Sequence, residues 1–311
     1  MKNGKYLLLS DLDGTLLTTD KRVTARTREA LTRFSEMGNV FAICTGRDIT
    51  SARLVYAGLG LDLPGSCIAS FNGGLLAEAG SDKVLFRTGL RPQLVREAFA
   101  IADELGLHAQ TYTDTHILSP GDDPELAFYR RVIKTPVITG PDALDHMSEY
   151  PYKIILIELG GNEKQERYKE LIQARYGDEV KVVRSAPEYL EVIPNTSGKD
   201  QAVMRLAEAL GIPQENTIAA GDADNDLDMI IAAGTGIAMK NGTEAVRAAA
   251  DIITEFDNDH DGLAEALLAW MEGMPYSNRF KSEMDKGERS ILEEGTISSE
   301  NLKKELGINR I

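Results

Sequence analysis

Leu7-Leu8-Leu9-Ser10-Asp11-Leu12-Asp13-Gly14-Thr15-Leu16-Leu17 is the stretch on which the reading of this chain turns. An apolar run enters it, two carboxylates follow one residue apart, and a glycine turns the chain. If the strand runs out to Asp13, its period of two puts Asp11 and Asp13 on the same side. Two carboxylates that close stay ionised cheaply only with a cation between them; otherwise one keeps a proton. Both arrangements are chemically useful. Asp and Gly also favour turns, so the stretch alone is compatible with a strand that simply ends in a polar turn. The rest of the chain has to decide.

Outward from that stretch, residues 6–10 form a continuous apolar run, as in a strand buried on both faces. Thr24 is placed to cap a helix through Leu31 and Phe34 that stops at Gly38. Val40-Phe41-Ala42-Ile43-Cys44 is a second buried strand and ends in Thr45-Gly46-Arg47-Asp48. A helix to about Gly58 and a third strand over residues 67–71 follow. This alternation predicts a parallel sheet with covering helices, in which ligands bind beyond the carboxyl ends of the strands. Asp11 and Thr45 both stand at such ends.

At Asn72-Gly73-Gly74 the rhythm changes to a hairpin over residues 75–86, turning at Gly80-Ser81-Asp82. Amphipathic helical stretches at 92–105 and 164–176 are mixed with strand-like runs at 153–157 and 180–183, which predicts an inserted α+β module. The βα rhythm resumes with a helix from Gly198-Lys199 to Gly211. A strand at 217–220 then delivers Gly221-Asp222-Ala223-Asp224-Asn225-Asp226. Further units lie at 236–239 and 251–253, and a last helix reaches about Met271. The fold class expected is α/β: a doubly wound parallel-sheet (Rossmann-like) core with an inserted α+β cap domain. Residues 1–84 and 190–272 are assigned to the core, 85–189 to the cap and 273–311 to a tail. That tail reads as a solvated extension with one short helix at 299–306. There is no internal repeat or low-complexity segment.

The totals narrow the function classes. With 311 residues and 42% hydrophobic content, two domains and a sizeable core are within reach. No apolar run approaches the roughly 20 residues of a membrane helix, and the N-terminus lacks a signal-peptide core. The two cysteines, Cys44 and Cys67, imply no disulfide framework. A soluble, cytoplasmic protein with no membrane partner is expected. The net charge of -15 argues against a nucleic-acid partner, and an anionic substrate must be drawn by local cations. His108, His116, His146 and His260 are scattered, so no zinc site is expected. Asp257-Asn258-Asp259-His260-Asp261-Gly262 imitates half an EF-hand loop, but Leu268 stands where the bidentate carboxylate belongs. Ser197-Gly198-Lys199-Asp200 lacks the leading glycine and the hydroxyl of a P-loop. Cys44 reads as a small buried hydrophobe, and Lys199 by itself would be a surface helix residue.

Taken together, the strand ends carry a chemical inventory. Asp11 and Asp13 come from the first, Thr45 from the second, and Asp222, Asn225 and Asp226 from a later one, with Lys199 opening a helix. Transfer of a phosphoryl group through an aspartate needs such a set: a carboxylate nucleophile and hard oxygen ligands for magnesium. A hydroxyl and an ammonium can take the phosphate oxygens where charge spreads in the transition state. A second carboxylate can serve the leaving oxygen and then water.

Asp11-Leu12-Asp13-Gly14-Thr15, Cys44-Thr45-Gly46-Arg47, Gly198-Lys199 and Gly221-Asp222-Ala223-Asp224-Asn225-Asp226 resemble, in order, the four motifs of the haloacid dehalogenase superfamily. The insert resembles the type IIB cap of its Cof-type phosphatases. Phe71-Asn72-Gly73-Gly74 and Ile237-Ala238-Met239-Lys240-Asn241-Gly242 resemble further landmarks, so the resemblance covers residues 4 to about 271. It implies that Asp11 attacks phosphorus and binds Mg2+. By the same resemblance Asp13 is the general acid/base and lends its carbonyl to the metal, and Asp222 ligates it. Asp226 positions metal-bound water. Thr45, Gly46, Lys199 and Asn225 would hold the phosphoryl group. Asn72 and Asn241 would be secondary contacts to phosphate, substrate or cap. Lys240 departs from the family pattern, standing where glycine is common.

The expected function is magnesium-dependent hydrolysis of a small phosphorylated metabolite, a sugar or polyol phosphate, through an aspartyl-phosphate. A sugar phosphomutase on the same scaffold is the nearest alternative. A receiver-like signalling protein also uses Asp, Mg2+, Thr and Lys, but it needs neither a poised Asp13 nor a lid. A protein used only for binding would have no need of the full reactive set. Oligomeric state is left open.

Overall fold

The computed structural model describes residues 4–131 and 133–273. The chain begins with β1 (Leu7–Ser10), α1 (Ala25–Glu36), β2 (Val40–Cys44), α2 (Ile49–Gly58), β3 (Cys67–Ser70), β4 (Leu75–Glu78) and β5 (Val84–Arg87). A second set follows: α3 (Pro92–Glu104), β6 (His108–Tyr112), β7 (Ile117–Ser119), α4 (Pro124–Tyr129), β8 (Val137–Thr139), β9 (Ile154–Ile157), α5 (Glu163–Tyr176), β10 (Val180–Ala186) and β11 (Tyr189–Pro194). The chain returns through α6 (Lys199–Leu210), β12 (Thr217–Gly221), α7 (Leu227–Ala232), β13 (Thr235–Ala238), α8 (Glu244–Ala249), β14 (Ile252–Ile253) and α9 (Gly262–Met271). Beyond Gly273, the expected extension and its short helix lie outside the described residues.

The first sheet has the order β14-β13-β12-β1-β2-β3-β4-β5. It is parallel from β14 to β3, and the β4–β5 hairpin closes one edge antiparallel. β1 sits in the middle because both of its faces are apolar. Leu7 and Leu9 pack with Ala202, Val203 and Leu206 of α6, while Leu8 packs on the other side with Leu31 and Phe34 of α1 and Leu267 of α9. All three leucines are fully buried, and truncating any one to Ala should cost about 2–5 kcal/mol. β2 repeats the division, with Phe41 and Ile43 on the α1 side and Val40, Ala42 and Cys44 on the α6 side.

α1 is a helix for local reasons. The Thr24 side chain accepts a hydrogen bond from Thr27 N at its N-terminus, and its buried residues Thr27, Ala30, Leu31 and Phe34 follow helical spacing. α6 stops at Gly211, which adopts the left-handed conformation at φ 64°, a common way to end a helix.

The second sheet has the order β10-β11-β9-β6-β7-β8 and is antiparallel except for β7–β8. Ile154 and Leu156 of β9 face α3 and α5, whereas Ile155 and Ile157 join the cluster that contains Phe71. Phe71 stacks on Tyr152 at 4.3 Å between ring centroids and 7° between planes. The two connections between the sheets meet where the Thr88 and Thr196 hydroxyls hydrogen-bond at 2.7 Å. The sheets depart from the expected boundaries: β5 extends the first sheet to Arg87, past residue 84. Strand β11 carries the second sheet on to Pro194, past residue 189. A short helix, α4, forms at Pro124–Tyr129 under an Asp123 cap, where no helical period was visible because it is one and a half turns long.

Candidate active site

β1 delivers Asp11 at its carboxyl end, where Asp11 N still donates to Ala220 O of β12 at 2.9 Å. β12, paired beside β1 in parallel register, delivers Asp222 and Asp226 from the turn that follows it. Lys199, the first residue of α6, reaches between them. Its Nζ donates to Asp11 Oδ1 at 2.6 Å and to Asp226 Oδ1 at 2.5 Å. The lysine side chain is 1% exposed and Asp226 0%, so this ammonium is a buried charge with buried partners. Asp226 is engaged on both oxygens, since Oδ2 also accepts from Asp222 N and Ala223 N at 3.0 Å each. Asp222 Oδ1 accepts from the Thr15 hydroxyl at 2.7 Å.

One oxygen from each of Asp11, Asp222 and Asp226 lies within 4.8 Å of the others. Burial pushes the Asp11 carboxyl up to about 7. Lys199 opposes that rise, and the Asp226 and Asp222 charges add to it. Burial likewise lifts Asp222 to about 6, against the Thr15 hydrogen bond and with help from Asp226. Burial disfavours the Lys199 charge, but Asp11 and Asp226 outweigh it and hold the lysine above its ordinary range. Three carboxylates crowd one ammonium, an all-oxygen donor set with excess negative charge. Such a set suits a hard divalent cation.

Asp13 is not part of this cluster. The strand alternation expected to set it beside Asp11 does not reach it: β1 ends at Ser10, and the chain turns at Gly14 with φ +85°. A side chain at Gly14 would be strained there and would put a Cβ 2.4 Å from Asp222 Oδ2. The Asp13 carboxylate points instead to Arg47, which reaches it through Nε at 3.0 Å and Nη2 at 2.6 Å, and to Lys21 Nζ at 2.7 Å. Burial would raise this carboxyl, but the hydrogen bonds from Lys21 and Arg47 outweigh that and hold it below the usual carboxylate range.

The loop after β2 places Thr45, which is buried; its Oγ1 accepts from Arg47 N at 3.2 Å. Asn72 sits across from it. Its backbone N donates to Thr45 O at 3.0 Å, and its buried Oδ1 has no hydrogen-bond partner among the described residues. Phe71 and Asn72 both have positive φ, 51° and 53°, an uncommon pairing that costs about 1–3 kcal/mol per residue. Gly46 offers its carbonyl to Lys153 Nζ at 3.0 Å. Asn225 is exposed on the turn after β12. Asn241 Nδ2 donates to Gly14 O at 2.8 Å, which ties the β13–α8 loop to the Gly14 turn. Lys240 is exposed, and its backbone N donates to Thr254 Oγ1 at 2.8 Å.

Three contributors escape sequence reasoning. Arg47 and Lys21 clamp Asp13, and Lys153 forms a buried pair with Glu191 at 3.0 Å while reaching the Gly46 carbonyl. Lys153 also lies 5.3 Å from the centroid of the Tyr112 ring. For Lys153 the sequence signal was a lysine directly before the apolar run of residues 154–157, and Arg47 stood, with no role assigned, at the end of Cys44-Thr45-Gly46-Arg47.

Residues 8–267 match the family described as haloacid dehalogenase-like hydrolase. The 5-amino-6-(5-phospho-D-ribitylamino)uracil phosphatase YwtE of Bacillus subtilis is 29% identical over 291 residues, covering 85% of this chain and 97% of its own. The pyridoxal phosphate phosphatase YbhA of Escherichia coli is 27% identical over 267 residues, covering 83% and 96% respectively. A crystal structure of a haloacid dehalogenase-like hydrolase from Bacteroides thetaiotaomicron superposes with a TM-score of 0.77 at 31% identity, over 85% of this chain and 98% of that one. The Lys199-centred carboxylate cluster thus lies in a chain that belongs to the haloacid dehalogenase-like hydrolases and is, as an enzyme, a phosphatase.

Proposed function

We propose that the chain hydrolyses a sugar or polyol phosphate in two steps, through an aspartyl-phosphate on Asp11, with Mg2+ as its cation. One observation carries this reading: the Asp11 carboxylate ends the central strand with one oxygen on Lys199 and with Asp222 and Asp226 beside it. A carboxylate so fixed is oriented for attack and cannot turn away.

In the first step Asp11 forms a bond to phosphorus as the ester P–O bond breaks, and the leaving oxygen takes a proton from Asp13. In the second, water attacks the same phosphorus, Asp13 accepts its proton, and the bond to Asp11 breaks. The Arg47 and Lys21 clamp favours the ionised Asp13 that the second step needs, and the proton that Asp13 takes from water in that step is the one it gives to the leaving oxygen in the next turnover. Lys199, the Thr45 hydroxyl and the backbone about Gly46 and Asn225 would hold phosphate oxygens. Asp226 would keep Lys199 and the Asp222 loop in place. Asp11, Asp222 and the Asp13 carbonyl would hold Mg2+, which when bound would offset charge on the phosphate. The ribityl chain in the name of one relative's substrate supports a polyol phosphate as the substrate class.

Rapid acid quench of enzyme turning over a generic aryl phosphate tests this. Phosphate should be trapped on Asp11 and accumulate further in Asp13→Asn, whose second step loses its base, by about 100-fold or more. Asp11→Asn should trap none and lose nearly all turnover, and chelator should abolish turnover until Mg2+ is restored. Turnover by Asp11→Asn, or phosphate found on another residue, would overturn the assignment.

A further inference from the structure

The group that protonates the leaving oxygen must lie next to the leaving group. In the reading above, on which this inference rests, that group is Asp13. Its carboxylate is gripped by Lys21 and Arg47, and beyond these two cations a groove of about 500 Å³ opens. The groove is walled by the segment that follows β1, by α1 and α2, and by the loop that precedes β8. Its lining carries Lys21, Arg22, Arg28, Arg47 and Lys134, and not one carboxylate.

That charge runs against the chain as a whole, in which 49 acidic residues outnumber 34 basic ones. The cations are also only partly matched. Lys21 and Arg47 share Asp13, and Arg22 pairs with exposed Asp20. Among the described residues Arg28 makes one long hydrogen bond, 3.4 Å, to Gly58 O. Lys134 has no hydrogen-bond or ion-pair partner among the described residues. Lys21 is held over Asp13 with φ 62°, a left-handed conformation that costs a non-glycine residue about 1–3 kcal/mol. It is set by the tight turn in which Lys21 N donates to Thr18 O at 2.8 Å and Thr18 N to Arg22 O at 2.9 Å. Leu54, 57% exposed, and Val55 add an apolar patch to the same lining, against which a carbon skeleton can rest.

The geometry points to a substrate with two anionic groups: the phosphate that is cleaved at Asp11, and a second oxyanion, carboxylate or phosphate, on the leaving part of the molecule. The leaving part extends past Asp13 into the groove, and its oxyanion is taken by Arg28 and Lys134, the cations without a carboxylate of their own. A cleft lined by one sign of charge concentrates ligands of the opposite sign, and guanidinium groups bind carboxylate and phosphate through paired hydrogen bonds. In a strongly acidic protein, such a groove selects among phosphate esters by charge.

The test uses the full chain with Mg2+ and two matched pairs of esters: 6-phosphogluconate against glucitol 6-phosphate, and fructose 1,6-bisphosphate against fructose 6-phosphate. In at least one pair kcat/KM should favour the member with the second anion by tenfold or more, and the preference should shrink as salt screens the groove. In Arg28→Gln/Lys134→Gln it should fall below threefold, through KM of the more anionic member. Arg28→Lys/Lys134→Arg, which keeps the charges, should retain most of it. Equal kcat/KM within both pairs, or a preference unchanged in the Gln variant, overturns the proposal while leaving the phosphatase reading intact. Turnover of neither pair nor of an aryl phosphate overturns that reading, and the proposal with it. Free gluconate should not speed hydrolysis of glucitol 6-phosphate; if it does, the groove takes an effector rather than part of the substrate, and the proposal fails.

Discussion

Replacing Lys199 with Met removes one ammonium and leaves its packing volume nearly filled. The structure says what is lost: the 2.6 Å contact to Asp11 and the 2.5 Å contact to Asp226, in a place where the lysine is 1% exposed and Asp226 0%. Breaking a buried pair from one side leaves an uncompensated charge and costs about 3–5 kcal/mol. At roughly 2–4 °C per kcal/mol for a chain of this size, the melting temperature of metal-free protein at pH 7.5 should fall by about 6–20 °C. The pH dependence has a sign. Without the lysine the Asp11 carboxyl, already raised by burial, is pushed further up, and a carboxyl raised in the folded state favours folding below its unfolded value and loses that advantage as pH rises through its folded one. The deficit of Lys199→Met should therefore shrink between pH 7.5 and pH 5, and adding Asp226→Asn should recover part of it because the two changes share one interaction. Thermal unfolding followed by circular dichroism in chelator measures this. A fall below about 2 °C, or a deficit that grows toward pH 5, would refute Lys199 as the shared counter-charge.

Two further outcomes follow from the same geometry. Asp11 near 7 and Asp222 near 6 must both be ionised to hold a cation, so titration calorimetry should find Mg2+ affinity rising by about 100-fold from pH 5.5 to 7.5; a rise under threefold would contradict the crowded cluster. Lys153→Met cuts the link from the second sheet to Gly46 O and strands Glu191, so KM for polyol phosphates should rise at least tenfold while kcat on an aryl phosphate moves less than threefold, and equal losses in both would make Lys153 a stability residue only.

What was legible in the sequence, and what was not, divides along a physical line. The central strand could be read because burial on both faces imposes a continuous apolar run, and Leu7, Leu8 and Leu9 supply it without help from any distant residue. Asp11 could be read for the same reason, as the first charged residue after that run. Asp13 could not, because its direction depends on where the strand stops. The ladder ends at Ser10 and Gly14 turns the chain at φ +85°, so a carboxylate one alternation further along points to Lys21 and Arg47 rather than to Asp222. The two lysines make the same point. Lys199 is announced only by its company, the carboxylates and the hydroxyl carried at the strand ends. Lys153 looks like any charge at the edge of a strand. It becomes a buried group only because β9 and β11 pair in a register that sets Glu191 opposite Ile155, bringing together residues that are 38 apart in the chain. Register is a property of two strands at once. A charge pair that depends on it, and the tie to Gly46 that the pair supports, had to come from the structure.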